Sequence, residues 1–342
     1  MSKKIISHLF NYACQEGAKD LVIEGLPTKI SLNYYFPDGE ERLFSLPKKL
    51  EKDLSLALRQ VLKLGSDEFL NKKYCKIEDR HYQLTFYLTI SPSSAGEKII
   101  INIIPKNKKL YRLKQLGLQS RELKTLATFV KRRSGLILIS SPHGQGKGAT
   151  LHALIKELNS DKHCLYYLGD SFSFELPGVN YLKATKNNWA KVLNLDSDII
   201  ISEISSENDL KNALHAATTG RLVLATISAD SVWEVLLSYL KLKSPLKLKL
   251  DGLKLILNQR LAPLKRKGAK NKFSRSITRT QIGLFEILEL TPTLKNFLLA
   301  SEQSKQKNKF WEKLGQIAIR DGYRPLVIDY KKKIKDGLID SK

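Results

Sequence analysis

Cysteine is scarce in this 342-residue chain, and Cys14, Cys75 and Cys164 lie far apart without forming a Cys-x-x-Cys pair. That excludes a disulfide-stapled fold and a thiolate zinc site, and no metal site is expected; three isolated thiols are what a reduced cytosolic protein carries. There is no uninterrupted apolar stretch of about twenty residues, so a membrane-spanning helix is excluded. Ser7, His8, Asn11 and Tyr12 interrupt any signal-peptide core, and the expected location is the cytoplasm. Acid is short relative to base, 34 Asp+Glu against 58 Lys+Arg, for a net charge of +24. The excess thickens at 106–109, 131–133, 241–275 and 331–335, with few aromatics between the lysines, which argues against a stacking platform for single-stranded nucleic acid. A lysine-rich solvated surface is the favoured reading. The alternative is a basic face for an acidic protein, lipid headgroups or nucleic acid.

What the chain does have is 42 % hydrophobic residues, enough for two ordinary cores. Apolar spacing predicts a helix over 5–17, extended segments over 20–24 and 29–35, and a turn at Pro37-Asp38-Gly39. A helix over 47–64 and strands over 82–90 and 98–104 complete a mixed α+β domain at 1–105, followed by a charged linker at 106–118. From Arg121 the pattern alternates helices with short β-branched runs, at 121–131, 135–140, 147–158, 164–168, 199–201, 207–217 and 222–226. That alternation predicts a parallel sheet covered on both faces, in a domain spanning 119–342. Residues 236–257 and 292–338 read as largely helical, with one strand at 283–288. Trp189, Trp233 and Trp311 have helical apolar neighbours and read as packing anchors. There is no internal repeat.

The most informative segment is Ser141-Pro-His-Gly-Gln-Gly-Lys-Gly148, which follows the apolar run Leu136-Ile-Leu-Ile139. A phosphate-binding loop needs glycines so that successive N–H groups can curl round an anion, a lysine for the outer phosphates, and a Ser/Thr hydroxyl for Mg²⁺. Gly144, Gly146 and Lys147 meet the first two needs; the hydroxyl position is Gly148. Residues Gly144, Gln145, Gly146, Lys147, Gly148 and Ala149 are therefore the expected nucleotide contacts. Thr150 is no simple substitute, because two helical steps turn a side chain through about 200°. His143 reads as an exposed polar residue.

Around this loop, in order, come Ala18-Lys-Asp-Leu-Val-Ile-Glu24, Pro37-Asp-Gly39, Gly96-Glu97, Gly135-Leu-Ile-Leu-Ile139, Glu175-Leu-Pro-Gly178 and Asp198 to Glu203. Then follow Ala216-Ala-Thr-Thr-Gly-Arg-Leu-Val-Leu-Ala-Thr226, Asn258-Gln-Arg-Leu261 and Ile282-Gly-Leu-Phe-Glu-Ile287. Together, from about residue 5 to the end, they resemble the secretion motor ATPases of type II secretion, type IV pilus assembly and retraction, and competence. The resemblance implies an α/β protein with a RecA-like P-loop NTPase core behind a smaller N-terminal mixed α+β domain. It also implies ATP or ADP as ligand, a homo- or hetero-hexameric ring, and partners among the inner-membrane platform and other pilus or secretion assembly proteins. Such a subunit would be cytoplasmic, or peripheral at the cytoplasmic face of the inner membrane.

Position by position, the resemblance places Lys147 at the phosphate lysine and Glu203 at the acid ending a buried strand, with Ser202 where glycine is usual. Of an acidic Glu-Asp-Pro-x-Glu segment only Asp170 is present, so Asp170 and Glu203 are the candidate catalytic acids. Two histidines expected near the phosphates are Arg221 and Ser228 here, Arg221 being the most plausible replacement because it is a cation. Arginines contributed by the N-terminal domain align with Tyr87 and Asn102, and a zinc element aligns with Leu264-Lys-Arg-Lys267. Phosphoryl transfer depends on metal, lysine, acid and cationic groups acting together. Their scattered loss predicts a subunit that binds ATP or ADP weakly with hydrolysis impaired or gone, and with no hydroxyl at Gly148 an ordinary Mg²⁺ site is not expected. An active ATPase and a non-catalytic nucleic-acid binder remain alternatives, nucleic acid being the less favoured partner.

Overall fold

The computed structural model describes residues 2–36, 40–62, 75–79, 84–93, 95–105, 112–132, 134–158, 163–169, 178–183, 185–195, 197–265, 281–301 and 307–340. They fall into two compact units, Met1–Lys109 and Leu110–Lys342.

The first unit runs α1 (Ser2–Glu16), β1 (Asp20–Gly25), β2 (Lys29–Tyr35), β3 (Glu41–Pro47), α2 (Glu51–Leu62), β4 (Cys75–Asp79), β5 (Leu84–Ser93) and β6 (Gly96–Pro105). Its strands form one sheet in the order β3-β2-β1-β6-β5-β4, every pair antiparallel. Period-two alternation puts Leu21, Ile23, Ile30, Leu32, Ile99 and Ile101 on one face, packed with Ile6, Phe10 and Ala13 of α1 and Leu54 and Leu58 of α2. The helix expected from Pro47 opens as a 3₁₀ turn, Lys48–Leu50, before α2. Strands β3 and β4 were not foreseen; β3 is an edge strand and exposes Glu41, Leu43, Phe44 and Ser45, so it lacks the buried alternation that marks a strand in sequence. The turn expected at 37–39 lies outside the described residues.

The second unit runs α3 (Ser120–Arg132), β7 (Gly135–Ser141), α4 (Lys147–Glu157), β8 (Leu165–Leu168), β9 (Val179–Leu182), α5 (Lys186–Asn194), β10 (Ile199–Ile204), α6 (Glu207–Thr218) and β11 (Leu222–Ser228). Then come α7 (Val232–Leu240), α8 (Leu246–Gly252), β12 (Leu253–Pro263), β13 (Gln281–Glu289), α9 (Pro292–Ala300), α10 (Lys307–Arg320) and α11 (Leu326–Lys335). The sheet order is β13-β12-β7-β11-β10-β8-β9, parallel throughout except for β12 with β13. Both faces are buried. Leu136 and Leu138 pack with Leu210, Ala213, Leu214 and Leu236, while Ile137 and Ile139 pack with Leu126, Phe129, Leu151, Leu154 and Ile155. Trp189 is buried in the first of these clusters, and Trp233 and Trp311 pack against it.

The helix expected over 236–257 is corrected: α7 and α8 end at Gly252, and Leu253, Leu255, Ile256 and Leu257 enter β12, fully buried between β7 and β13. A leucine-rich run suits a helix or a central strand equally well, and burial on both faces decides for the strand. Leu113, Leu116 and Leu118, in the stretch expected to be a linker, are buried with Leu126 and Phe285.

Candidate functional site

Strand β7 delivers the chain to Ser141 at the carboxyl end of a parallel sheet, and the loop 142–146 turns it into α4. Gly144 at φ 74° and Gly146 at φ 86° are left-handed, a conformation costly for residues with a Cβ. Gly146 is the N-cap of α4, and its carbonyl accepts from Ala149 N at 3.0 Å and Thr150 N at 3.3 Å. The preceding N–H groups of a helix start have no intrahelical partner, and with the helix dipole they favour an anion. The residue types present therefore fit a phosphate group.

The underside of the loop is tied to β12. Gln259, 2 % exposed, donates from Nε2 to the Gln145 carbonyl at 2.5 Å and accepts from Thr150 Oγ1 at 2.5 Å. Gln145 Oε1 accepts from Leu261 N at 2.8 Å. A neighbouring amide, Asn258, donates to Ser140 Oγ and the Ala229 carbonyl, tying β7 to the segment after β11.

Lys147, the first residue of α4, donates from Nζ to the Ser141 carbonyl at 3.1 Å and to Ser228 Oγ at 3.0 Å. Ser228 ends β11 and is the register partner of Ser141, so the position where the resemblance places a histidine meets the lysine expected at the phosphates directly. Burial pulls the Lys147 amine below its ordinary pKa, while the charge of Glu203 works the other way. Glu203 alternates with Ile199 and Ile201, which pack against the α4 side, so it emerges on the face that α4 covers. Its side chain is exposed. Of the residues expected from sequence, the structure thus brings together the loop 144–149, Lys147, Glu203 and Ser228.

Asp170 lies outside the described residues. His143 is exposed, as expected. Arg221 precedes β11 at the amino end of the parallel strands, the end opposite the loop, so it is no substitute cation at the phosphates. Its guanidinium instead donates to Ser197 Oγ, Thr219 Oγ1 and the carbonyls of Leu193 and Leu195, fixing the chain after α5. In the first unit Tyr87 and Asn102 are cross-strand partners, and Asn102 Nδ2 donates to Asp20 Oδ1 at 2.6 Å.

Magnesium does not fit in the ordinary way. A Cβ added at Gly148 would meet nothing within 4 Å, so the room for a hydroxyl-bearing side chain exists while the side chain does not. Thr150 is 1 % exposed and bonded to Gln259, so it offers no hydroxyl to the loop. Among the described residues no group of three or more His, Cys, Asp or Glu is placed to hold a metal ion. Sequence reasoning missed Gln259, which stands between Asn258 and Arg260 and whose partners lie 109 and 114 residues away.

Residues 3–328 match the family model described as Type II/IV secretion system protein. The type II secretion system ATPase E of Vibrio cholerae serotype O1 is 26 % identical over 238 residues, 67 % of this chain and 47 % of that protein. The chain spans about half the length of the curated relatives it matches. Among solved structures, the Legionella pneumophila ATPase DotB matches with a TM-score of 0.74 at 16 % identity, covering 100 % of this chain and 94 % of that one. The pilus retraction motor PilT with bound ADP matches with a TM-score of 0.69 at 18 % identity, covering 97 % and 93 %. These likenesses show the fold, a RecA-like core with an N-terminal domain. No helix among the described residues is long and apolar enough to cross a membrane.

Proposed function

This chain belongs to the type II/IV secretion system protein family, and from that premise we propose that it is a motor-type ring subunit that holds ATP or ADP with hydrolysis impaired or lost. The observation that carries this reading is the contrast within one loop: Gly144 and Gly146 take left-handed turns that suit an anion-binding backbone, yet Gly148 presents no metal hydroxyl into open space. The N–H groups of Gly144 to Gly148 and the Lys147 ammonium would hold the phosphates, while the Ala149 N–H, expected among the contacts, is bonded to the Gly146 carbonyl. Bound ATP supplies a phosphoanhydride bond and its negative charge. Lys147 neutralises part of that charge, Glu203 is the one described acid beside it, and Ser228 adds a hydroxyl without charge. Tyr87 and Asn102 carry no charge with which to stabilise a transition state.

Such a subunit would fill a place in a homo- or hetero-hexameric ring at the cytoplasmic face of the inner membrane and dock to a pilus or secretion platform. Its contribution would be structural or regulatory. Titration calorimetry with ADP and a turnover assay with Mg-ATP test this. Expected are ADP binding that depends little on Mg²⁺ and turnover near background, unchanged by Lys147→Ala or Glu203→Gln. Turnover that drops sharply in both variants would restore an active motor and overturn the impaired reading.

A further inference from the structure

The cradle contains two left-handed glycines within three residues, and glycine is the residue with the most backbone freedom to lose on ordering. A loop of that composition does not hold one shape through its own torsional preferences. Something outside it must select the arrangement in which its N–H groups converge. The structure places one side chain in that position. Gln259 lies in β12 beside the loop-bearing strand β7, is 2 % exposed, and has its amide engaged at both ends. Nε2 grips the loop at the Gln145 carbonyl, and Oε1 takes the hydroxyl of Thr150 in the first turn of α4. The approach is close enough that a Cβ on Gly146 would come within 2.8 Å of Gln259 Nε2. Gln145 returns the grip two residues further along β12, where its Oε1 accepts from Leu261 N.

Resting on the nucleotide reading above, we infer that Gln259 is a positioning residue that presets the phosphate loop, making phosphate affinity a property of the backbone held by β12 rather than of a metal. The amide bridges the two segments that supply the N–H groups, the loop and the helix start, so one buried residue fixes their relative placement. Preorganisation of this kind strengthens binding by removing the ordering cost from the binding step. Gln145, in the middle of the loop, supplies both the carbonyl that is gripped and the amide that grips back. The two glutamines therefore act as one reciprocal clamp.

The test uses the full chain, Gln259→Leu, which removes both amide bonds, and Gln259→Glu, which keeps an acceptor for Thr150 but loses the donor to Gln145. Two readouts are taken: ADP affinity by calorimetry, and hydrogen exchange at the amides of Leu261, Ala149 and Thr150, with β10 and β11 amides as internal reference. Losing a buried bond of this type predicts about a tenfold or greater fall in ADP affinity in both variants. Exchange at the three loop-reporting amides should speed up while the reference amides stay as in the parent. A general folding defect would move the reference amides as well and would overturn the assignment. Parent-like ADP affinity in both variants, or parent-like exchange at all three amides, also overturns it. A parent that binds no ADP sinks the nucleotide reading, and exchange alone then decides whether Gln259 shapes the loop.

Discussion

On the buried side of α11, Asp329 and Lys333 are 2 % and 4 % exposed, whereas Lys147 at the start of α4 is only half-buried. Asp329 Oδ1 accepts from Gln119 Nε2 at 2.7 Å, and Oδ2 accepts from Phe285 N at 2.8 Å and from Lys333 Nζ at 2.5 Å. Lys333 also donates to the Gly283 carbonyl at 2.6 Å. This pair fastens α11 to β13 and to the segment before α3 with its charges neutralised internally. Lys147 is bonded to a carbonyl and a hydroxyl, and among the described residues the charge acting on it is that of Glu203, whose side chain is exposed. Both places hold a lysine beside an acid; one closes on itself, while the other makes no hydrogen bond to a carboxylate among the described residues, as the proposed phosphate site requires.

The largest effect is expected where the charges close on each other. Lys333→Met leaves Asp329 buried without its cation, which costs about 3–5 kcal/mol; urea unfolding measures it, and a loss under 1 kcal/mol would erase the contrast. Lys147→Ala reverses the pattern. Its stability should change by less than about 1 kcal/mol, while ADP affinity should fall about 10- to 100-fold through loss of a charged hydrogen bond.

A third effect of about 2–3 kcal/mol is expected at Glu122, whose carboxyl lies near Asp329 and accepts from Gln119 N at 2.6 Å. Burial pushes its pKa up to about 7, with the Asp329 charge adding to the rise and Lys333 and Lys332 opposing it. The folded carboxyl thus keeps its proton to about pH 7, while the unfolded one releases it near its ordinary 4.5. The native state then binds more protons between those limits, and stability falls as pH rises through that window. Glu122→Gln removes the penalty and keeps an acceptor for Gln119. Its advantage over the parent should grow from pH 5 to pH 8 in urea unfolding, and an advantage independent of pH would show that Glu122 titrates normally.

The same pair of places shows what could be read from sequence. The loop was legible because glycine spacing and a lysine at a helix start are local facts, and the flanking strands because β-branched runs mark a buried parallel sheet. Lys333 was not legible. It stands in the basic run 331–335, read as solvated surface, and only the packing of α11 on β13 selects the third of its four lysines for burial. Arg221 was misplaced for a related reason: a charge that could replace a missing histidine was weighed by type, while strand direction puts it at the far end of the sheet. Gln259 stood within a segment already singled out, yet its two bonds span about 110 residues of sequence, a distance no local pattern reports.

The smallest effect bears on the open side of the loop. Gly148 is the second residue of α4, has helical φ, and would carry a side chain into space with nothing within 4 Å. Gly148→Ala should therefore raise stability by about 0.5–1 kcal/mol through helix propensity alone. Gly148→Thr should gain less, because a β-branched residue is a poorer helix former, but it adds a hydroxyl beside Lys147. If the absent hydroxyl limits the site, ADP affinity in Gly148→Thr should become dependent on Mg²⁺ while that of Gly148→Ala stays as in the parent. Calorimetry with and without Mg²⁺ separates the two. Identical Mg²⁺ responses in Thr and Ala variants would mean that the metal is excluded by more than one missing oxygen, and that the contrast between the loop backbone and its missing hydroxyl does not reduce to Gly148.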